Sequence, residues 1–180
     1  RDQKIAAWEI LKDVQKPYPM NRLMQGDVGS GKTVVAVIAA LQVAQAGWQT
    51  VFLVPTEVLA RQHFHTIRTL LRDTGLTVGL MTRSMVCFGD RTVSKRVLKS
   101  QIAKGAVNIV IGTHAVIQKD VTFTRLALVV IDEQHRFGVQ QRAALARQKS
   151  GSVPVPHLLS MTATPIPRTL ALTIFGDLDI

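Results

Sequence analysis

The segment Gly26-Asp27-Val28-Gly29-Ser30-Gly31-Lys32-Thr33 restricts the fold more than any other stretch of the chain. It has glycine, four residues, then Gly-Lys-Thr, which is the P-loop pattern. The pattern works in one context, with a strand before it and a helix after it. Here Arg22-Leu23-Met24 precedes it and a branched, alanine-rich run from Val34 follows. The glycines let the backbone approach phosphates without a Cβ clash. The loop N–H groups converge as an anion nest, and the helix adds its positive end. Gly26, Gly29, Ser30 and Gly31 are therefore expected to cradle phosphates. Lys32 is expected to reach the β- and γ-phosphates, and the Thr33 hydroxyl to meet Mg2+. The expected ligands are ATP and Mg2+.

The rest of the chain repeats the same alternation. Apolar strand-like runs fall at 22–24, 50–54, 77–81, 107–111, 127–131 and 158–161. Helical patterns fall at 33–45, 57–72, 91–104, 139–148 and 168–175, with loops expected at 81–90 and 150–156. Continuous apolar strands are buried on both faces, which is the signature of a parallel sheet covered by helices. The 180 residues suit one domain. The expected class is α/β, a three-layer P-loop domain with a mainly parallel central sheet. In such sheets the working loops lie at the carboxyl ends of the strands.

Asp132 and Glu133 directly follow the strongest of these runs, 127–131. Asp132 suits Mg2+ held through water, because that ion prefers hard oxygens and keeps much of its hydration. Glu133 suits orienting or deprotonating an attacking water.

Charge narrows the partner class. Lys plus Arg is 22 and Asp plus Glu is 12, a net +10. Residues 91–104 carry Arg91, Lys95, Arg96, Lys99 and Lys104 without an acid, and 134–176 again contain none. A basic domain of this kind meets polyanions. Aromatic residues are 5% of the chain and form no base-stacking array, so backbone phosphates are the expected grip. No apolar run approaches the roughly 18 residues of a membrane span, and no membrane partner is expected. Cys87 is the single cysteine. It excludes an internal disulfide framework and, with no secretory signal in view, predicts a cytoplasmic setting. His63 and His65 look like a metal pair, yet i and i+2 on a helix point to different faces.

Gln134 and His135 complete Asp-Glu-Gln-His, which resembles the second motif of superfamily 2 helicases. Ser160-Met161-Thr162-Ala163-Thr164-Pro165 resembles their third motif. Pro55-Thr56-Glu57-Val58-Leu59-Ala60-Arg61-Gln62-His63 resembles motif Ia, and Gly112-Thr113-His114-Ala115 motif Ib. Together with Gln25 to Thr33, Arg136-Phe137-Gly138-Val139 and Ile166-Pro167-Arg168-Thr169, these runs resemble the RecG family of bacterial ATP-dependent DNA helicases, along essentially the whole chain. That family remodels stalled forks and branched junctions. The transcription-repair coupling translocases are similar, but usually carry Asp-Glu-Glu-His and a bulkier residue in the phosphate loop. Gln134 and Ser30 favour the RecG family. A nucleotide- or DNA-binding module without turnover is the alternative from another class.

The resemblance implies further roles. Gln3 would contact adenine. Thr162 and Thr164 would couple nucleotide state to movement, and His135 would hydrogen-bond the acidic pair to the third motif. Pro55, Thr56, Arg61, Thr113 and His114 would lie along a DNA track. Residues 1–180 would form the helicase ATP-binding domain, the first RecA-like lobe. A second lobe bearing an arginine finger and an N-terminal wedge domain would lie outside it. Such a lobe alone is expected to bind ATP weakly, hydrolyse it poorly and leave DNA wound.

Overall fold

The computed structural model describes residues 2–132 and 155–163. Its elements are α1 (Asp2–Asp13), β1 (Asn21–Gln25), α2 (Lys32–Gln45), β2 (Gln49–Leu53), α3 (Glu57–Leu70), β3 (Val78–Met81), β4 (Val86–Phe88), β5 (Arg91–Thr92), α4 (Lys95–Ala103), β6 (Ile109–Gly112), β7 (Leu126–Asp132) and β8 (His157–Thr162). The strands form one sheet in the order β1-β8-β7-β2-β6-β3-β4-β5. Every pairing from β1 to β3 is parallel, and only the pairings β3–β4 and β4–β5 are antiparallel.

The central strands explain why the sheet is covered on both sides. Successive side chains point to opposite faces. Phe52, Ile109, Ile111, Leu128 and Val130 enter one apolar cluster with residues of α1, α2 and α3. Their neighbours Val51, Leu53, Val110, Val129 and Ile131 enter a second cluster with Leu98 and Ile102 of α4. That is the expected three-layer α/β arrangement. Ala36, Ala39 and Ala40 of α2 are almost wholly buried, so small side chains bring this helix close to the sheet. In α3 the buried stripe is Ala60, Phe64 and Ile67, spaced as one helical face. Thr56 caps α3 by accepting from the Leu59 N–H at 3.3 Å, and Ser94 caps α4 by accepting from Val97 at 3.3 Å.

Three expectations are corrected. Residues 81–90 are not simply a surface loop. β4 occupies Val86–Phe88, with Val86 and Cys87 buried. A three-residue strand is too short to show a period, so only its pairing to β3 reveals it. The helix expected over 91–104 begins at Lys95, because Arg91–Thr92 pair with β4 as β5. Helix α1 was not anticipated. Its apolar pattern is weak, since Ile5 and Trp8 are exposed and Ala7 and Ile10 carry its apolar burial. Ala7 and Ile10 join the core cluster with α2, and ion pairs to β1 add to their hold. Arg22 of β1 donates to Glu9 and to Asp13, each at 2.6 Å. Burial tends to raise the Asp13 carboxyl, but the hydrogen bond from Lys16 and the charge of Arg22 outweigh it and lower its pKa. The segments expected at 139–148 and 168–175, and most of 150–156, lie outside the described residues.

His157 closes the opposite end of the sheet. Its Nδ1 accepts from the Met20 N–H at 3.0 Å, joining β8 to the entry of β1. Burial lowers its pKa below the ordinary 6.5, while the charge of Asp13 works against that shift. The folded chain thus holds His157 neutral where the unfolded chain would protonate it. This contribution is fully present above the unfolded pKa and is lost as pH falls through the folded one. Thermal melts are expected to show stability declining as pH drops below 6.5. His157→Asn keeps an acceptor near the same place but does not titrate, so its profile is expected to be flatter over that window. Parallel profiles for both proteins would refute this account.

Candidate nucleotide-binding site

The phosphate loop runs from the end of β1 to the start of α2, the strand–loop–helix context its sequence demanded. Gly29 and Gly31 have φ of 81° and 84°, a left-handed conformation that disfavours side chains. A Cβ on Gly26 would lie 2.9 Å from Ser30 Oγ, and one on Gly31 would lie 2.5 Å from Gln3 Nε2. The loop closes on itself through Ser30 N–H to Asp27 O at 3.1 Å. Lys32 Nζ donates to the Gly26 carbonyl at 2.6 Å and to the Asp27 carbonyl at 2.7 Å, so its ammonium arches over the loop. Thr33 follows in the first turn of α2, where backbone N–H groups lack intrahelical acceptors. Bare backbone, a cation and helix N–H groups within one short loop fit a polyphosphate.

Gln3 reaches this loop. It lies on α1 and donates from Nε2 to Ser30 O at 2.6 Å. Beside it, Ala7, Trp8 and Leu11 of α1 and Val34, Val35 and Ile38 of α2 line an apolar cavity of about 260 Å³.

The third motif meets the loop directly. β8 pairs with β1 so that Thr162 lies opposite Gln25, and Gly26 N–H donates to Thr162 O at 3.2 Å. Asp132 ends β7 opposite Met161 of β8. The phosphate loop, Thr162 and Asp132 are therefore carried on the adjacent strands β1, β8 and β7, all at their carboxyl ends. Glu133, His135 and Thr164 lie outside the described residues.

The residues expected along a DNA track lie at the same end of the sheet. Pro55 and Thr56 follow β2, and Thr113 and His114 follow β6. These strands are parallel neighbours, and Val54 N–H donates to Gly112 O at 3.0 Å where they end. Thr113 precedes a short 3-10 helix, His114–Ile117, and its carbonyl accepts from the Val116 N–H at 3.1 Å. Arg61 donates to Ser84 Oγ at 2.8 Å. Glu57 accepts from the Arg83 N–H at 3.0 Å and from the Ser84 hydroxyl. The Ser84 hydroxyl, with the Arg83 N–H, holds the Glu57 pKa below its ordinary 4.5. The turn at 82–85 is thus tied to α3, which no local pattern announced.

One contact was missed altogether. His63 Nε2 lies 2.9 Å from Asp132 Oδ2. Helical spacing separates His63 from His65, but the partner His63 meets is 69 residues away and leaves no local signature.

A mainly parallel α/β sheet carrying a phosphate loop beside an acid-ended strand marks a P-loop nucleotide-handling domain, and comparison with known proteins narrows the class. The chain belongs to the DEAD/DEAH box helicase family, whose model matches residues 1–173. Within that family it is similar to RecG. It is 54% identical over 172 residues to the ATP-dependent DNA helicase RecG of Synechocystis sp., covering 96% of this chain and 20% of that protein. It is 49% identical over 180 residues to RecG of Aquifex aeolicus, covering 100% of this chain and 22% of that protein. The chain thus spans about a fifth of the length of these curated relatives. A solved structure of RecG bound to a three-way DNA junction superposes with a TM-score of 0.78 at 42% identity, covering 97% of this chain and 22% of the other. Mss116p bound to ssRNA and AMP-PNP shares the fold, with a TM-score of 0.65 at 19% identity over 90% of this chain and 36% of the other. The family implies nucleotide binding. Among the described residues, no helix is long and apolar enough to cross a membrane.

Proposed function

We propose that this chain is the ATP-binding lobe of a RecG-like DNA helicase, with ATP and Mg2+ bound at the phosphate loop and branched DNA passing over the ends of β2 and β6. The hydrogen bond from Gly26 N–H to Thr162 O carries the reading, because it joins the phosphate loop to the motif expected to report nucleotide state. The solved relative bound to a three-way DNA junction supports branched DNA as the substrate class. Residues 1–180 form the first RecA-like lobe, and a second lobe and a wedge domain of the same parent protein complete the machine. The setting is cytoplasmic.

The proposed division of labour draws on the loop's backbone geometry and on the family's motifs. Gly26, Gly29, Ser30 and Gly31 present backbone to the phosphates, and Gln3 holds the loop from the adenine side. Lys32 compensates charge at the β- and γ-phosphates. Thr33 and Asp132 hold Mg2+, which when bound neutralises charge developing on the phosphates. Glu133 orients water for attack, and His135, Thr162 and Thr164 pass the outcome on. Pro55, Thr56, Arg61, Thr113 and His114 face the DNA backbone.

The decisive measurement is ATP turnover by the full-length protein, with and without branched DNA. DNA is expected to stimulate turnover. Glu133→Gln is expected to reduce the stimulated rate by about a hundredfold or more, the scale of a lost general base. Turnover indifferent to both DNA and Glu133→Gln would point to a binding module and overturn the helicase reading.

A further inference from the structure

We propose that His63 is a positioning residue that fixes the Asp132 carboxylate and ties it to the DNA-facing end of α3. The inference rests on the functional reading above, in which Asp132 holds Mg2+ and α3 begins at the DNA track. Asp132 closes β7, whereas α3 packs on β3 and β6. In the order β7-β2-β6-β3, the bond from His63 therefore reaches across β2. At 2.9 Å, with the two side chains only 11% and 17% exposed, it is little screened by solvent. An ionised carboxylate only accepts, so Nε2 donates.

Helix α3 gives the contact its meaning. Its cap is Thr56, and Arg61 on the same helix donates to Ser84 on the exposed side. Arg61 and His63 are two residues apart, so they point to different faces of one rigid rod. Arg61 faces the turn at 82–85, and His63 faces the nucleotide site. Phe64 and Ile67 seat the rod on the sheet. A shift of the first turn of α3 on DNA binding must move His63, and with it the oxygen it holds. Groups that orient metal-binding carboxylates typically change metal affinity 10–100-fold when removed. The signal in the sequence was the His63-Phe64-His65 run. The fold assigns its first member to Asp132. His65 is exposed and lines a separate surface cavity with Arg68 and Asp90.

The test uses the full-length protein and two readouts. One is the Mg2+ concentration giving half-maximal binding of a fluorescent ATP analogue, and the other is the ratio of DNA-stimulated to unstimulated turnover. In His63→Ala the Mg2+ requirement is expected to rise about tenfold and the stimulation ratio to fall by a similar factor. His63→Gln carries an amide Nε2 that can donate from nearly the same place, and it is expected to recover most of both. Should His63→Ala fail to fold, His63→Leu serves as the variant of similar bulk without a donor. Wild-type Mg2+ dependence and stimulation in the donor-less variant would overturn the proposal, provided Asp132→Ala changes the first. A changed Mg2+ requirement with stimulation intact would overturn the link to α3. If Lys32→Ala and Asp132→Ala both leave analogue binding untouched, the nucleotide site itself is misassigned and the proposal falls with it.

Discussion

Lys32→Ala is expected to weaken ATP binding by at least about a hundredfold. A hydrogen bond to a charged group contributes roughly 1.5–3 kcal/mol, and Lys32 is placed to make two or more with phosphate oxygens. Losing about 3 kcal/mol corresponds to roughly two orders of magnitude in affinity. The fold itself should barely notice. In the structure Lys32 Nζ bonds to the carbonyls of Gly26 and Asp27, and the second of these bonds is solvent-exposed. Their loss should cost about 1 kcal/mol, or roughly 2–4 °C in Tm for a chain of this size. Calorimetric titration with ATP, alongside a thermal melt, separates the two effects. Wild-type affinity in a folded Lys32→Ala protein would remove the phosphate-loop assignment.

Gly112→Ala is expected to have the largest effect on stability. Gly112 ends β6 between β2 and β3, in register with Leu53 on one side and Met81 on the other. A Cβ there would lie 2.2 Å from the Met81 carbonyl oxygen and 2.4 Å from Val116 Cγ2. A flexible side chain could yield, but the carbonyl belongs to the neighbouring strand, so the sheet must open. Overpacking of this kind costs about 1–3 kcal/mol, and backbone on one side argues for the top of that range. That corresponds to a fall of roughly 6–12 °C in Tm. The same shift would displace Thr113 and His114, so weaker DNA binding should accompany it. A urea midpoint within error of wild type would show that the strands tolerate the methyl.

Much of this was legible from residue order, for identifiable reasons. The run at 127–131 is branched and continuous, so it specified a doubly buried strand, and the structure extends it by one residue at each end as β7. The phosphate loop carried its own backbone requirements, and Gly29 and Gly31 adopt the left-handed angles those glycines permit. The strands β2 and β6 were readable from their apolar runs, and the motifs after them through their resemblance to helicase motifs. Helix α1 was not readable. Only Ala7 and Ile10 enter the core from it, too few to set a period, and Arg22 meeting Glu9 and Asp13 adds ion pairs that no periodicity encodes. β4 and β5 were hidden because short antiparallel strands exist only through their partners.

The same division runs through the site. Glycine conformational freedom, the cation at Lys32 and the carboxylate at Asp132 are properties of individual residues, so the amino-acid order alone established a phosphate-handling α/β domain. Which strands lie side by side is a property of the whole sheet. Only the order β1-β8-β7-β2-β6 brings Thr162 against Gly26, sets Asp132 next in line and carries α3 close enough for His63 to reach Asp132. Those contacts join residues far apart in the chain, and closing such distances depends on the summed packing of both apolar layers. No local stretch contains that information.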